Sequence, residues 1–140
     1  DAGSRLALQP HVQLLALNYA ADDIALSLHS KEKRQASEAG LTQDDAPDEP
    51  VRLPRLRRRP TWVAAHRVDL NVYYRRMERE EFHTLTAIRA GQPIAESLHA
   101  GFSASGIPEV QRPQRVQKWF ATWAELGWIC APDLEELIQA

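Results

Sequence analysis

The second half of the chain carries the most regular pattern of hydrophobic and polar positions. Residues 62–67 and 72–77 are rich in aromatic and β-branched side chains, and Asp69 and Asn71 lie between them. Two such runs on either side of a short turn indicate a β-hairpin. Residues 11–19 form another strand-like run, with hydrophobic side chains on both faces. The pattern therefore predicts a small β-sheet.

Three amphipathic helices are predicted after the hairpin. Hydrophobic residues repeat at helical spacing in three groups, which are Phe82, Leu85 and Ile88, then Ile94, Leu98 and Phe102, then Val116, Trp119, Phe120, Trp123 and Leu126. Glu78, Glu80 and Glu81 lie at the start of the first helix, where negative charge complements the helix dipole. Gly91 and Gly127 follow the first and third helices and are typical left-handed stops.

The pattern divides the chain into three parts. Residues 1–30 are expected to form a strand and a short helix that pack on the core. Residues 31–60 contain four prolines and predict an exposed, charged loop or linker, and residues 61–140 form the main domain. We expect an α+β, winged-helix-like fold, in which the N-terminal strand joins the hairpin in a small antiparallel sheet beside three helices.

Composition and charge narrow the class of protein. The chain has 140 residues, 44% of them hydrophobic, which suits one ordinary domain with an attached arm. Residues 1–50 hold four Lys/Arg against nine Asp/Glu, whereas residues 51–140 hold thirteen against ten. Much of the positive excess lies in residues 52–59, so the compact unit is nearly neutral. The single cysteine, Cys130, fits a reducing cytoplasm, and no apolar run is long enough for a membrane span.

No group of residues has the pattern of a catalytic or metal site. The five histidines never pair at helical spacing, and the Glu80–His83 spacing of a carboxylate and an imidazole occurs once, whereas di-iron bundles need it twice. Neither a glycine-rich phosphate loop nor a nucleophilic serine turn is present. The tryptophans of the third helix follow its core face. We therefore expect a protein that is not an enzyme and that holds no metal and no cofactor.

DNA binding is one interpretation of the helical unit, since a helix that follows a turn can enter the major groove. The expected DNA contacts are Arg57, Arg58, Arg59, Arg115, Gln117 and Lys118. The third helix supplies only two of these positive charges, which is few for phosphate binding. DNA-binding winged helices also usually carry their hairpin after the recognition helix, whereas here it comes first.

Peptide binding is the other interpretation, and it arises from a resemblance. Residues 61–130 resemble PqqD-like domains, which recognise leader peptides of ribosomally made, modified peptides, in their hairpin-first order, their hydrophobic positions, and Gly91 and Gly127. The resemblance implies that a peptide pairs as an extra strand on the hairpin edge, beside the third helix. The implied peptide-binding residues are Val72, Tyr73, Tyr74, Arg75, Arg76, Arg115, Lys118, Trp119 and Thr122.

The chain also resembles the C-terminal half of a bacterial family labelled as a DNA-binding domain. The similarity lies in residues 8–15, 64–67, 72–77 and 80–91. Members of that family are often partner subunits of multinuclear-iron peptide-modifying oxygenases, as in methanobactin biosynthesis (MbnC-like subunits). The resemblance therefore implies two partners, a precursor peptide and an iron-dependent enzyme. We expect a cytoplasmic recognition protein, with a DNA-binding regulator module as the alternative.

Overall fold

A computed structural model of the chain describes residues 3–28, 55–133 and 138. The chain divides into two compact units, one of Asp1–Leu15 with Trp62–Ala140 and one of Ala16–Thr61. In chain order the described elements are β1 (Ala7–Leu8), β2 (Val12–Tyr19), α1 (residues 22–28), β3 (Arg58–Val68), β4 (Asn71–Met77), α2 (Arg79–Arg89), α3 (Ile94–Gly101), a 3-10 helix (Glu109–Gln111), α4 (Arg112–Glu125) and β5 (Ile129–Cys130).

The larger sheet has three strands in the order β2-β3-β4, and β3 pairs with β4 in antiparallel register from Trp62↔Met77 to Val68↔Asn71. The predicted α+β fold, with a small antiparallel sheet made by a hairpin and one N-terminal strand, is confirmed. Two residues form the hairpin loop. The first of them, Asp69, has a φ of 53°, and a positive φ at this position is typical of the tight turns of two-residue hairpins.

β3 begins earlier than the sequence pattern predicts. The sequence pattern of the first hairpin strand begins at residue 62, but residues 58–60 already belong to β3. All three are exposed, and one of them is Pro60, so neither hydrophobicity nor strand propensity marks them. The remainder of the expected loop, from residue 31 to residue 54, lies outside the described residues.

Helices α2 and α4 end in the same capping motif. Gly91 and Gly127 adopt φ values of 80° and 65°. The residue after each glycine donates a backbone hydrogen bond to the last turn of its helix. Gln92 donates to the carbonyl of Ala87, and Trp128 donates to the carbonyl of Trp123. These are the bonds of the Schellman motif, which satisfies carbonyls that the helix leaves unpaired. The left-handed stops predicted from the two glycines are therefore present.

The core lies in the first unit, between the sheet and the helices. Its buried members are Val12, Ala64, Met77, Leu85, Ile88, Trp119, Trp123 and Trp128. The tryptophans of α4 thus belong to the core, as their spacing predicts. Trp128, fully buried, folds back under the sheet after the α4 cap.

A second, two-stranded sheet ties the N-terminal segment to the end of the domain. β1 pairs with β5 in antiparallel register, Ala7↔Cys130 and Leu8↔Ile129. Arg5 donates a hydrogen bond to the carbonyl of Gly91 at 2.9 Å, and Arg89 donates to the carbonyl of Val12. The N-terminal residues are therefore held against the C-terminal end of α2.

Candidate functional site

A groove of about 700 Å³ lies between β4 and α4. Its lining residues are Arg75, Arg76, Met77, Glu78, Glu81, Gln114, Arg115, Lys118 and Trp119. Five of the nine residues expected to bind peptide are among them. The structure therefore brings the end of β4 and the first half of α4 together as the walls of one groove.

The other four expected residues lie outside this lining. Val72, Tyr73 and Tyr74 continue along β4 towards the turn, and each is about half exposed. Thr122 lies one helical turn beyond Lys118 on α4, and its hydroxyl donates to the carbonyl of Lys118 at 3.0 Å. The hydroxyl of Thr122 is thus bonded within its own helix. Of the three β4 residues, Tyr73 shares the face of Arg75, whereas Val72 and Tyr74 lie on the opposite face.

Glu81 is the buried anion of the groove, with only 1% of its surface exposed. Its Oε1 accepts hydrogen bonds from Nη1 of Arg75 at 2.7 Å and from Nε1 of Trp123 at 2.9 Å. A buried carboxylate is stable only when it is paired and hydrogen-bonded, and these two donors meet that need. Glu81 therefore links β4, α2 and α4 at the bottom of the groove.

Glu78 plays a similar part at the rim. It forms an ion pair with Arg115 of α4, and its other oxygen accepts a hydrogen bond from Nε1 of Trp119 at 3.2 Å. The ring of Trp119 is buried and stacks on Phe102 and Trp123. The contribution of Trp119 to the groove is therefore its polar edge, while its ring belongs to the core.

Sequence reasoning missed Glu78 and Glu81 as site residues. It assigned them to the helix dipole and to charge neutralisation by an arginine at the protein surface. One signal was available for Glu81. It precedes Leu85 by four residues and Ile88 by seven, which places it on the buried face of α2. A glutamate on a core face needs a cationic partner, and Arg75 is six residues away in a neighbouring strand.

The outer edge of β4 is the second feature of the site. Since Val68 and Asn71 close a two-residue hairpin loop, they form a hydrogen-bonded pair, and pairs alternate along the ladder. The N–H and C=O groups of Val72 and Tyr74 therefore point away from β3. Among the strands that the structure describes, β4 is the last in its sheet. Its outer edge offers these backbone groups next to the groove.

His66 lies behind the strand, on the core side of the sheet. Its ring stacks on Tyr73, the residue directly opposite on β4, and meets Trp128 edge-on at 5.2 Å. Burial lowers the pKa of His66, and the charges of His11 and Arg75 lower it further. Within the described part of the chain, neither Nδ1 of His66 nor Nε1 of Trp128 has a hydrogen-bond partner. His66 is thus a neutral, buried ring next to a guanidinium.

The residues expected to contact DNA belong to two different units. Arg57, Arg58 and Arg59 are exposed at and before the start of β3, in the unit Ala16–Thr61. Arg115, Gln117 and Lys118 lie on α4 in the other unit. Arg115 is already paired with Glu78, which reduces the positive charge that α4 offers to phosphates.

Comparisons with known proteins add no family. No protein-family model matches the sequence, and the comparison with curated proteins gives no match. Within residues 3–28, 55–133 and 138, no group of three or more His, Cys, Asp or Glu side chains is placed to hold a metal ion. In the same residues, no helix has both the length and the apolar character to cross a membrane.

Proposed function

We propose that this chain is a non-catalytic recognition protein that binds an extended peptide as an additional strand on the outer edge of β4. The observation that carries the proposal is the position of that edge. The outward backbone groups of Val72 and Tyr74 lead directly to the groove between β4 and α4. Backbone hydrogen bonds along such an edge supply affinity, and an adjacent groove selects side chains.

The groove is suited to hold the side chains of a bound strand. A strand next to β4 would send alternate side chains to the face that carries Tyr73 and Arg75. That face leads to α4, where Arg115 and Lys118 form the opposite wall. The wall is rigid, since Trp119 and Trp123 fix α4 in the core. Preformed walls lower the entropic cost of binding.

The identity of the peptide and of the second partner rests on the resemblance of the sequence to bacterial partner subunits. On that basis the peptide is a precursor in modified-peptide biosynthesis, and the chain presents it to an iron-dependent enzyme in the cytoplasm. Co-purification of the tagged chain with an iron-containing enzyme encoded next to it tests this part. Absence of such an enzyme from both the gene neighbourhood and the purified complex would contradict it.

Substitution of Tyr74 by proline tests strand addition. Tyr74→Pro removes an N–H from the outer edge and leaves the β3 ladder without a lost donor. We expect this variant to lose binding of a precursor peptide encoded beside the chain, as measured by fluorescence anisotropy. Tyr74→Thr is the matched control, because it removes the same ring but keeps the N–H. Equal affinity of a folded Tyr74→Pro variant and the control would refute strand addition.

DNA binding is tested in parallel. A gel shift that weakens steeply with added salt, and that is lost on substitution of Lys118 and Arg115, would favour the regulator module and contradict peptide recognition as the role of this face.

A further inference from the structure

Arg75 is the most firmly positioned cation in the groove. Its Nη1 donates to Glu81 at 2.7 Å, and its guanidinium carbon lies 5.7 Å from the centre of the Trp128 ring. Trp123 holds Glu81 from the other side. The side chain of Arg75 nevertheless remains 29% exposed, and it lines the groove. The structure therefore fixes this guanidinium in place while leaving part of it open.

The open part of Arg75 has the chemistry of a carboxylate receptor. A guanidinium has five N–H donors in a planar fork, and the bond to Glu81 uses one of them. The remaining donors can grip both oxygens of a carboxylate. Because Glu81 and Trp128 already hold the guanidinium of Arg75, this side chain loses little conformational entropy when it binds a carboxylate.

The charges around Arg75 favour an anion in the same place. The groove is lined by Arg75, Arg76, Arg115 and Lys118, and its two carboxylates are the paired Glu78 and Glu81. The lining side chains therefore sum to a positive charge. Lys118 is exposed on α4, across the groove from β4. The opposite face of β4 carries Arg76 near the end of the strand and two exposed hydrophobic residues, Val72 and Tyr74, along the rest of it.

We propose that the groove selects an acidic strand, a peptide with carboxylates on alternate residues that face Arg75 and Lys118 and with apolar residues between them. This specificity rests on the proposed function, since it requires a peptide paired with the β4 edge. The alternation follows from the period of a strand, which sends every second side chain into the groove. The residues between them lie beside Val72 and Tyr74 on the other face.

Three synthetic peptides of seven residues, the length of β4, test the proposal. The first alternates valine and glutamate, the second has the same composition with its glutamates in one block, and the third alternates valine and lysine. All have blocked ends and a fluorescent label for anisotropy. We expect the alternating acidic peptide to bind at least about tenfold more tightly than either control, because a fixed guanidinium gains a charge-assisted pair. Its affinity should fall with added salt.

Variants of the protein locate the effect. Lys118→Gln changes an exposed residue and should weaken binding of the alternating acidic peptide several-fold. Arg75→Gln should remove most of the protein's preference for the acidic peptide over the lysine peptide. Arg67→Gln is the matched control, because it deletes the same charge from the opposite face of the hairpin. If Lys118→Gln and Arg67→Gln lose the same amount of affinity for the acidic peptide, general charge attraction explains its binding and the groove does not. That result would overturn the inference.

The outcomes separate this inference from the proposed function. If the lysine peptide binds as tightly as the acidic one and both are lost in Tyr74→Pro, strand addition stands and the acidic specificity is wrong. If the block peptide binds as tightly as the alternating one, the strand register is wrong. If no peptide binds, or if the chain dimerises through its β4 edges instead, both proposals are wrong.

Discussion

At the scale of single residues, Glu81 is the side chain on which the groove depends. It is buried, and its Oε1 accepts hydrogen bonds from both Arg75 and Trp123. If the negative charge were absent, the guanidinium of Arg75 would lose its partner in a poorly solvated position. The ion pair therefore supports the fold and fixes the direction of Arg75 at the same time.

The substitution Glu81→Gln measures this dependence. We expect it to lower the free energy of unfolding by about 2 kcal/mol, because the partly exposed guanidinium of Arg75 loses its charged partner and the buried Nε1 of Trp123 loses a charged acceptor. Urea denaturation gives the value. Glu125→Gln is the matched control on an exposed position of α4 and should change stability by less than about 0.5 kcal/mol. Similar effects in both variants would show that Glu81 is not a structural anion.

His66 gives stability a dependence on pH. Its pKa in the folded state is lowered by burial, by His11 and by Arg75, so between the ordinary value of 6.5 and the lowered value the unfolded chain binds more protons. The contribution of His66 to the free energy of unfolding is therefore fully present above pH 6.5, and it is lost as the pH falls from 6.5 through the lowered pKa of the folded state. One such group contributes at most about 1.4 kcal/mol per pH unit.

This decrease in stability at lower pH is tested by urea unfolding of the wild type and of His66→Gln at several pH values between pH 7.5 and 5. The wild type should lose more stability on acidification than the variant. His83, whose pKa is lowered chiefly by burial, acts in the same direction, so the difference between the two proteins is the relevant quantity. An equal slope in both would contradict the account.

At the scale of elements, the close approach of α2 and α3 sets the position of the helix that carries Glu81. Gly101, at the end of α3, is buried against α2. A Cβ at this position would lie 2.0 Å from the Thr84 hydroxyl oxygen and 2.8 Å from the Glu80 carbonyl oxygen. The absent side chain therefore permits the contact between the two helices, and backbone freedom is not the reason for glycine here.

Gly101→Ala should accordingly destabilise the protein by about 2 kcal/mol, because the new methyl group overlaps the Thr84 hydroxyl and the backbone carbonyl oxygen of Glu80. Thermal unfolding followed by circular dichroism measures the change. Gly106→Ala is the control, since nothing lies within 4 Å of its added Cβ. A Gly101→Ala variant as stable as this control would show that the helices can separate without cost.

The elements that sequence reasoning predicted are those with a repeated local signal. Helices α2, α3 and α4 have hydrophobic residues at helical spacing, and glycines mark the ends of α2 and α4. The β1–β5 pair was not predicted. Its strands have two residues each, which is too short for a period, and its partners Ala7 and Cys130 are far apart in the sequence. The groove depended in the same way on contacts between residues far apart in the sequence, namely the hydrogen bonds from Trp119 to Glu78 and from Trp123 to Glu81 that join α4 to the start of α2.

At the scale of the whole molecule, the structure places the outer edge of β4 next to the charged groove between β4 and α4. Five of the nine predicted peptide residues line that groove, and the core behind them contains Trp119, Trp123 and Trp128. The sheet and helices form the rigid scaffold, while backbone groups of β4 remain available to another strand. This arrangement is the basis of the proposed recognition of peptides.

Amide hydrogen exchange, measured by NMR with and without a saturating peptide, tests that claim most directly. The N–H groups of Val72 and Tyr74 point outward and should exchange at least about tenfold more slowly once a peptide strand accepts hydrogen bonds from them. The N–H groups of Tyr73 and Arg75 already pair with β3 and serve as internal controls that should change little. If a bound peptide leaves the exchange of Val72 and Tyr74 unchanged, the peptide does not add to the sheet and the account is wrong.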